Sequence, residues 1–496
     1  MTEPAAGAIA SRLTPAESPF RPTMPNRIIV PLIVACALFM ENMDSTVITT
    51  ALPAIARDLS VDPIALKLAL TAYLLSLAVF IPISGWMADR FGARTIFRAA
   101  IIVFTLGSAA CGFAQGLHDL VFYRIIQGLG GAMMVPVGRL VVLRTIPKHE
   151  LVAALTWLVI PALFGPMLGP PLGGFITTYF HWRWIFWINI PIGILGLILA
   201  SRYIENIREK NPPPLDKLGF VLSGIGLTGV AFGLTTFGQS LLSVWVAFAI
   251  LITGAVFTYA FVLHARRVEA PLMNLKLLRL QTFRASVIGG SLFRIGIGAM
   301  SFLLPLLFQL GFGMTAFESG LLTFWGAIGA MLLRPTTPFI LRRFGFKRVV
   351  LINALIAGIF IFAPAFFSPT TPHLTIGAVI LVGGFFRALQ FSSVNSLAFA
   401  DLENKQMSQG TSITSVAQQL SIAAGVAIAA LALDATRYAR GDIGIVFEDF
   451  APAFILVGVI AMTSALFFIW LPKNAGASLT AREEIATTAR EPDPHA

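Results

Sequence analysis

The chain has 496 residues, 56% of them hydrophobic and only 12% charged, where a soluble domain carries about 25% charged residues. Its mean hydropathy is +0.82 and its net charge +11. This excludes a soluble domain and predicts an all-α polytopic membrane protein. The basic residues sit in short connections between apolar runs, which excludes a nucleic-acid-binding stripe, and a β-barrel would show short alternating strands instead.

The first 26 residues are rich in Ala, Pro, Ser and Thr and read as a disordered tail. No small-residue cleavage site follows a short apolar stretch, so a removable signal peptide is not expected. Apolar runs follow at about 28–53, 66–88, 96–115, 119–142, 152–177, 184–203, 218–238, 243–264, 284–310, 317–339, 349–368, 374–398, 411–433 and 451–471. Each is near the ~20 residues that a helix needs to cross a bilayer. The first run holds Glu41 and Asp44, three residues apart and therefore on neighbouring parts of one helical face. Carboxylates at that depth are expensive and mark proton or ion pathways. Cys36 and Cys111 both fall within runs, so no disulfide framework is expected.

Of the 35 basic residues, 25 lie in the terminal segments and in the alternate connections on the same side; only Arg57, Lys67, Arg183, Arg437 and Arg440 lie on the other. That bias puts both termini in the cytoplasm. Arg124, Arg139, Arg294, Arg334 and Arg387 fall within runs. The chain also repeats itself. Ala88–Arg94 (ADRFGAR) follows the second run and Leu341–Lys347 (LRRFGFK) follows the tenth; Arg124-Ile125-Ile126-Gln127 is echoed by Arg387-Ala388-Leu389-Gln390. The expected architecture is fourteen transmembrane helices, arranged as two pseudo-symmetric six-helix bundles with an inserted two-helix hairpin. Its parts are a cytoplasmic tail (1–26), a first bundle (27–205), the hairpin with its linkers (206–270), a second bundle (271–473) and a second tail (474–496).

These residues resemble the major facilitator superfamily, and more narrowly its fourteen-helix drug:proton antiporter branch, over roughly residues 27–472. Asp44-Ser45-Thr46-Val47-Ile48, ending in Ala51-Leu52-Pro53, is similar to the branch's first-helix signature, whose Asp is taken to handle protons. Met43 replaces the usual Leu, and Glu41 stands outside the signature, so its candidacy rests on position. Gly85-Trp86-Met87-Ala88-Asp89-Arg90-Phe91-Gly92-Ala93-Arg94 resembles the family's loop between helices 2 and 3. The resemblance implies that Asp89, Arg90 and Arg94 latch the two halves in an outward-facing state. Gly85 would allow close helix approach there, and Gly92 a tight turn. Ala93 replaces one basic position, and the second-half copy has Arg342 in place of the Asp.

Arg124-Ile125-Ile126-Gln127-Gly128-Leu129-Gly130-Gly131-Ala132 is similar to the helix 4 motif linked to proton transfer. At ~1.5 Å of rise per residue, Asp44 and Arg124 come out at similar heights in the outer half of the membrane. They are expected to meet, either as a working pair or as a static one. Gly165-Pro166-Met167-Leu168-Gly169-Pro170-Pro171-Leu172-Gly173-Gly174 resembles the helix 5 antiporter motif of exporters. Glycines at four-residue spacing make a flat packing face, and the prolines remove backbone donors, so a bendable helix is expected.

No phosphate-binding loop and no metal-ligand spacing occurs, so neither an ATP-driven pump, a metal site, a cofactor nor an enzyme is expected. The six histidines lie near run ends or in the tail and read as interfacial or solvated. Gln127, Arg294, Arg387 and Gln418 are candidates for a substrate cavity, while Gln309, Gln390 and Gln419 either line it or make hydrogen bonds within the bundle. Arg294 and Arg387 either charge the cavity positively, which suits anionic or zwitterionic amphipaths, or bond helix carbonyls and snorkel. The expected activity is proton-coupled export of amphipathic small molecules or drugs across the cytoplasmic (inner) membrane, by alternating access. Its partners are the small-molecule substrate, protons and the lipid bilayer, with no nucleic acid, no docking domain for a periplasmic adaptor, and a monomeric state. Export of anionic or zwitterionic metabolites is the alternative, followed by nutrient symport and by a non-transporting scaffold. Exchange on Asp44 requires it to face a central opening; a side chain that points at lipid, or is sealed off from any central opening, overturns the scheme.

Overall fold

Inside a bilayer no water satisfies the backbone, so each apolar run closes its own hydrogen bonds as a helix. The computed structural model describes residues 24–146, 151–209, 214–236, 243–333, 336–403, 406–441, 444–472 and 474–476, with the side chains of 24–27, 151–163, 244 and 338 excepted. The tails expected up to residue 23 and from 477 onward, with Lys148, His149, Lys210, Arg334, Lys405 and Lys473, lie outside the described residues. Helices α1 (Met24–Asp58), α2 (Lys67–Phe91), α3 (Ala93–Cys111), α4 (Leu117–Thr145), α5 (Leu151–Tyr179), α6 (Trp184–Trp187) and α7 (Asn189–Tyr203) make the first half. Helices α8 (Lys217–Thr236) and α9 (Val244–Arg267) form the inserted hairpin. The second half is α10 (Gln281–Leu306), α11 (Ala316–Leu333), α12 (Thr337–Phe344), α13 (Phe346–Phe362), α14 (His373–Ala398), α15 (Met407–Arg440) and α16 (Phe450–Ile469). Among the described residues, thirteen stretches are long and apolar enough to cross a membrane. The 29-residue α5 supplies the length of the fourteenth expected span.

The R-F-G segments are tighter than the loops expected for them. Helix α2 continues through Asp89 and Arg90 to Phe91, and a single residue, Gly92, links it to α3. Gly92 has φ +97° and Gly345, between α12 and α13, has φ +78°, values that favour glycine. The bonds match in both copies. Gly92 N–H donates to Ala88 O (2.9 Å) and Gly345 N–H to Leu341 O (2.9 Å), while each glycine carbonyl accepts from the residue four on.

Helix α5 runs as α-helix through Pro166, Pro170 and Pro171. Gly165, Gly169 and Gly173 lie against α1: a Cβ on Gly169 would fall 2.0 Å from Thr46 Oγ1, and one on Gly173 2.6 Å from Val47 O. Gly174 and Gly320 bring α5 and α11 together across the halves, each backbone so close that a Cβ would fall 2.3 Å from a carbonyl oxygen opposite, that of Ala316 or Pro170.

The cores show which end is shut. One buried apolar core runs through both halves at the end that the charge bias assigns to the outside, joining Val47, Leu52 and Phe186 to Phe302, Leu307 and Phe454. At the other end each half has its own core, and a further core joins the hairpin and the second half to Ala78 of α2. Val34, Phe97 and Val141 belong to a first-half core, and Phe346, Val350 and Leu397 to a second-half core. The halves thus share one core at one end and have largely separate cores at the end where α1 begins.

In the hairpin, Gly229 of α8 meets Gly254 of α9, with a Cβ on the first falling 2.7 Å from the Cα of the second. The hairpin packs on α2 and α15, one from each half. An apolar cavity of about 710 Å³ lies between α8, α9, α2 and α4, and a smaller one of about 180 Å³ between the hairpin and α15. Asp216 ties the ends together: it accepts from Gly219 N (2.8 Å) and Leu272 N (3.1 Å) and pairs with His264 Nε2 (2.8 Å). Burial pushes its carboxyl up, but the bonds from His264, Gly219 and Leu272 outweigh that and hold it below the usual carboxylate range.

Candidate functional site

Five helices of the first half converge on Asp44. From α4, Arg124 Nη1 donates to Asp44 Oδ2 at 2.5 Å, and Gln127, one turn on, donates through Nε2 to Asp44 Oδ1 at 2.8 Å. From the start of α7, Asn189 Nδ2 donates to the same Oδ1 at 3.0 Å. The donors are themselves fixed. Arg124 Nη1 also reaches Gln127 Oε1 (2.7 Å), and Asn189 Nδ2 reaches Ser108 Oγ of α3 (3.0 Å), which in turn donates to Phe186 O (2.9 Å). The Arg124 guanidinium lies 4.1 Å from the ring centre of Tyr73 on α2. Asp44 is 3% exposed and Arg124 1%. The charges thus meet out of water, where an ion pair must satisfy its remaining polar atoms to offset desolvation.

Depth arithmetic therefore brings the right two charges together, but the surroundings differ from those expected. Asp44 faces the interior of the first half, neither lipid nor, in this conformation, an opening. Gln127, expected on a cavity wall, is wholly buried in the Asp44 network. Asn189, which opens the sixth run in a segment that resembles the same branch, was assigned no chemistry from the sequence, and Ser108 and Tyr73 were not singled out; the signal was a polar residue inside an apolar run, which does not name its partner.

Glu41 lies one turn nearer the N-terminus of α1 and carries no hydrogen bond or ion pair among the described residues. A Cβ on Gly131 would lie 3.7 Å from its Cγ and 3.1 Å from the Tyr73 hydroxyl, so α4 is glycine where Glu41 and Tyr73 approach it. Tyr73 Oη is buried without a protein partner. Arg139, further along α4, is the cation whose charge acts on Glu41.

Among the described residues, Asp89 and Arg94 of the segment expected to latch the halves bond the first half and the linker that follows it, not the second half. Asp89 pairs with Arg144 of α4 (2.6 Å), which also reaches Glu209 (3.4 Å). Glu209 N donates to Asp89 O (3.0 Å) and Arg94 reaches Ile204 O (3.4 Å). Gly92 packs on Asn206, whose Oδ1 accepts from Thr95 N (3.2 Å). Arg90 is exposed, and so is Gly85, where a Cβ would meet nothing within 4 Å. The close helix approach expected at Gly85 is absent from this conformation.

A second set of charges closes the outer end. Lys67 at the start of α2 is wholly buried and pairs with Asp434 of α15 (3.6 Å). Arg437 of α15 bonds Asp434 (3.0 Å) and crosses to Asp62 of the first half (2.5 Å). Gln309 Nε2 donates across the halves to Thr50 O (2.9 Å). Lys67 counted in the sequence only as an outer-side charge; its partner was not legible.

Of the remaining cavity candidates, Arg294 is 2% exposed and donates through Nη2 to Asn395 Oδ1 (2.6 Å), while Arg387 and Gln418 are half-buried without a hydrogen bond among the described residues. Gln390 bonds Val350 O (3.0 Å) and Asn353 (3.0 Å) inside the second half.

Two halves of six spans, parted at one end and locked at the other around a buried first-helix acid, can be compared with known proteins. The chain is 36% identical over 439 residues, 88% of its own length and 93% of the relative's, to "Probable transport protein HsrA" of Haemophilus influenzae. It is 36% identical over 444 residues, 89% and 95% of the two chains, to "Putative multidrug resistance protein MdtD" of Pectobacterium atrosepticum. Its fold matches the crystal structures of a D-xylose-proton symporter (TM-score 0.65, 16% identity, 90% of this chain and 98% of that one) and of the POT family transporter PepTSo (TM-score 0.67, 16% identity, 94% and 99%). The Major Facilitator Superfamily model matches residues 34–426 and 287–492, so helices, repeat and relatives agree that this chain belongs to the Major Facilitator Superfamily of transporters.

Proposed function

We propose that the chain exports amphipathic small molecules in exchange for protons, by alternating access, as a monomer in the inner membrane of a bacterium with both termini in the cytoplasm. The bacterial relatives with multidrug-resistance names support the cargo class. The charge bias supports the orientation.

The observation that carries the proton role is that every partner of the Asp44 carboxylate is a donor. A proton on Asp44 would have no acceptor in this arrangement. Protonation therefore requires either that Gln127 or Asn189 turn its amide oxygen to the carboxyl, Asn189 Oδ1 being without a partner among the described residues, or that α1 shift against α4 and α7; the second would couple a proton to a change of conformation. Because Asp44 is closed off here, the simple expectation of one acid open to a central cavity is replaced by a two-step route. The proton reaches Asp44 when the outer end is open and leaves towards the cytoplasm by way of Glu41, which has no fixed partner. The inside-negative potential drives each proton inward with ~2.3 kcal/mol per charge per 100 mV.

The test is dye efflux from energised vesicles. Asp44→Asn keeps the size and the acceptor oxygen but cannot ionise; transport is expected to fall by more than about tenfold, a loss of over ~1.4 kcal/mol of driving interaction. Unchanged efflux would remove Asp44 from the mechanism.

A further inference from the structure

The second half holds two arginines that no carboxylate among the described residues neutralises. Arg294 sits at the middle of the 26-residue α10 and Arg387 at the middle of the 26-residue α14. At 1.5 Å per residue, each lies roughly 16–21 Å from the ends of its helix, beyond the reach of a snorkelling side chain. The carbonyl alternative fails as well. Among the described residues Arg294 bonds only the Asn395 amide oxygen and leaves Nε buried without a partner, and Arg387 bonds nothing. No carboxylate acts on either one.

The two cations flank one stretch of α14. Arg387, Phe391 and Asn395 follow one another at four-residue spacing on one face of α14. Arg294 reaches across from α10 to Asn395 at 2.6 Å and lies 5.5 Å from the ring centre of Phe391. Arg387 is one turn, about 6 Å, beyond Phe391. Gly326 of α11 leaves room for it: a Cβ there would fall 3.0 Å from Arg387 Nη2. α14 packs on both α10 and α11, so Arg294 meets it from the α10 side and Arg387 lies on its α11 side. Unpaired charges at mid-membrane depth are retained where a ligand or a path uses them.

We propose that Arg294 and Arg387 are the receptor for an anionic headgroup (carboxylate, sulfonate or phosphate) on the transported molecule, with Phe391 between them for its apolar part. The inference deepens the transport reading above and rests on it: the cargo is an anionic amphipath, bound by the second half while the first half handles the proton. Anion leaving and proton entering both carry positive charge inward, so the membrane potential drives both movements.

The test is equilibrium binding to purified full-length protein in neutral detergent, without any gradient. The probe is dansylglycine, a carboxylate, compared with its neutral amide by fluorescence anisotropy. Wild type is expected to bind the carboxylate about tenfold tighter than the amide, and Arg294→Gln and Arg387→Gln are each expected to abolish that preference while leaving amide binding unchanged. Equal binding of both probes by wild type, or a preference that survives both substitutions, overturns the proposal. Where a Gln variant fails to fold, phenylglyoxal labelling of Arg387 in wild type decides. Protection by dansylglycine is expected, and labelling that the carboxylate does not slow overturns the site. The second source of such a headgroup is lipid: Arg-dependent retention of phosphatidylglycerol without any preference for dansylglycine would overturn the cargo assignment. Proton exchange is read in the vesicle efflux of Asp44→Asn and the anion site in the detergent binding of the arginine variants, so failure of the anion site and failure of proton exchange are read separately.

Discussion

Asp44 is a charged residue whose cost is met by one cation and two amides. Removing the cation alone leaves a buried carboxylate uncompensated, at about 3–5 kcal/mol. Arg124→Gln is therefore expected to lower the melting temperature and the membrane yield of the protein. Asp44→Asn added to it is expected to restore both while efflux stays lost. A fluorescence-detected size-exclusion thermal assay reads this; an Arg124→Gln protein as stable as wild type would mean the pair does not hold the first half together. The Asp44–Arg124 pairing was legible in the sequence because helix rise fixes depth, and depth limits which charges can meet. Asn189 was not legible as a partner, since the break between α6 and α7 sets its direction and no periodicity encodes that break. Gln127 was misplaced for a simpler reason: three residues after Arg124 it shares that helix face, and the face turned out to look at Asp44 rather than at a cavity.

Helices that carry hydropathy are easily read, and their ends are not. The runs located the spans, but the second run stopped three residues short of Phe91, because Asp89 and Arg90 are charged and still helical. The helix ends where Gly92 takes a positive φ, which composition alone does not show. Asp216 is a case where one side chain holds element ends. Its folded carboxyl titrates below the ordinary value of 3.8, so its contribution is complete at neutral pH and fades as pH falls through that lowered value. Its bonds, made to a charged group, are worth about 1–3 kcal/mol in all. Asp216→Ala is expected to lower the melting temperature at pH 7 and to flatten the dependence of melting on acid. Parallel melting curves for wild type and variant across the acid range would show that Asp216 does not clamp the hairpin.

Across the whole molecule, the repeat foretold two halves but not which end would be shut. That depends on pairs such as Lys67–Asp434 and Asp62–Arg437, whose members belong to different halves and carry no common motif. Asp434→Asn leaves Lys67 buried without its counter-charge and is expected to favour the outer-open state. In a Cys36→Ala, Cys111→Ala background, Thr50→Cys places a thiol at a wholly buried cross-half contact. Its reaction with a membrane-impermeant maleimide from outside is expected to rise about tenfold when Asp434→Asn is added, which is ~1.4 kcal/mol of population shift. An unchanged rate would mean that the apolar core alone keeps the outer end shut.

The inserted hairpin meets that motion in its own way. It leans on α2 of one half and α15 of the other, and no hydrogen bond among the described residues fastens α8 or α9 to either. If the halves rock as proposed, at least one of these seams must slip. Greasy surfaces with spare volume beside them slide without breaking any directional bond, so the hairpin behaves as a gasket: it keeps lipid out of the moving joint and adds little friction to the stroke.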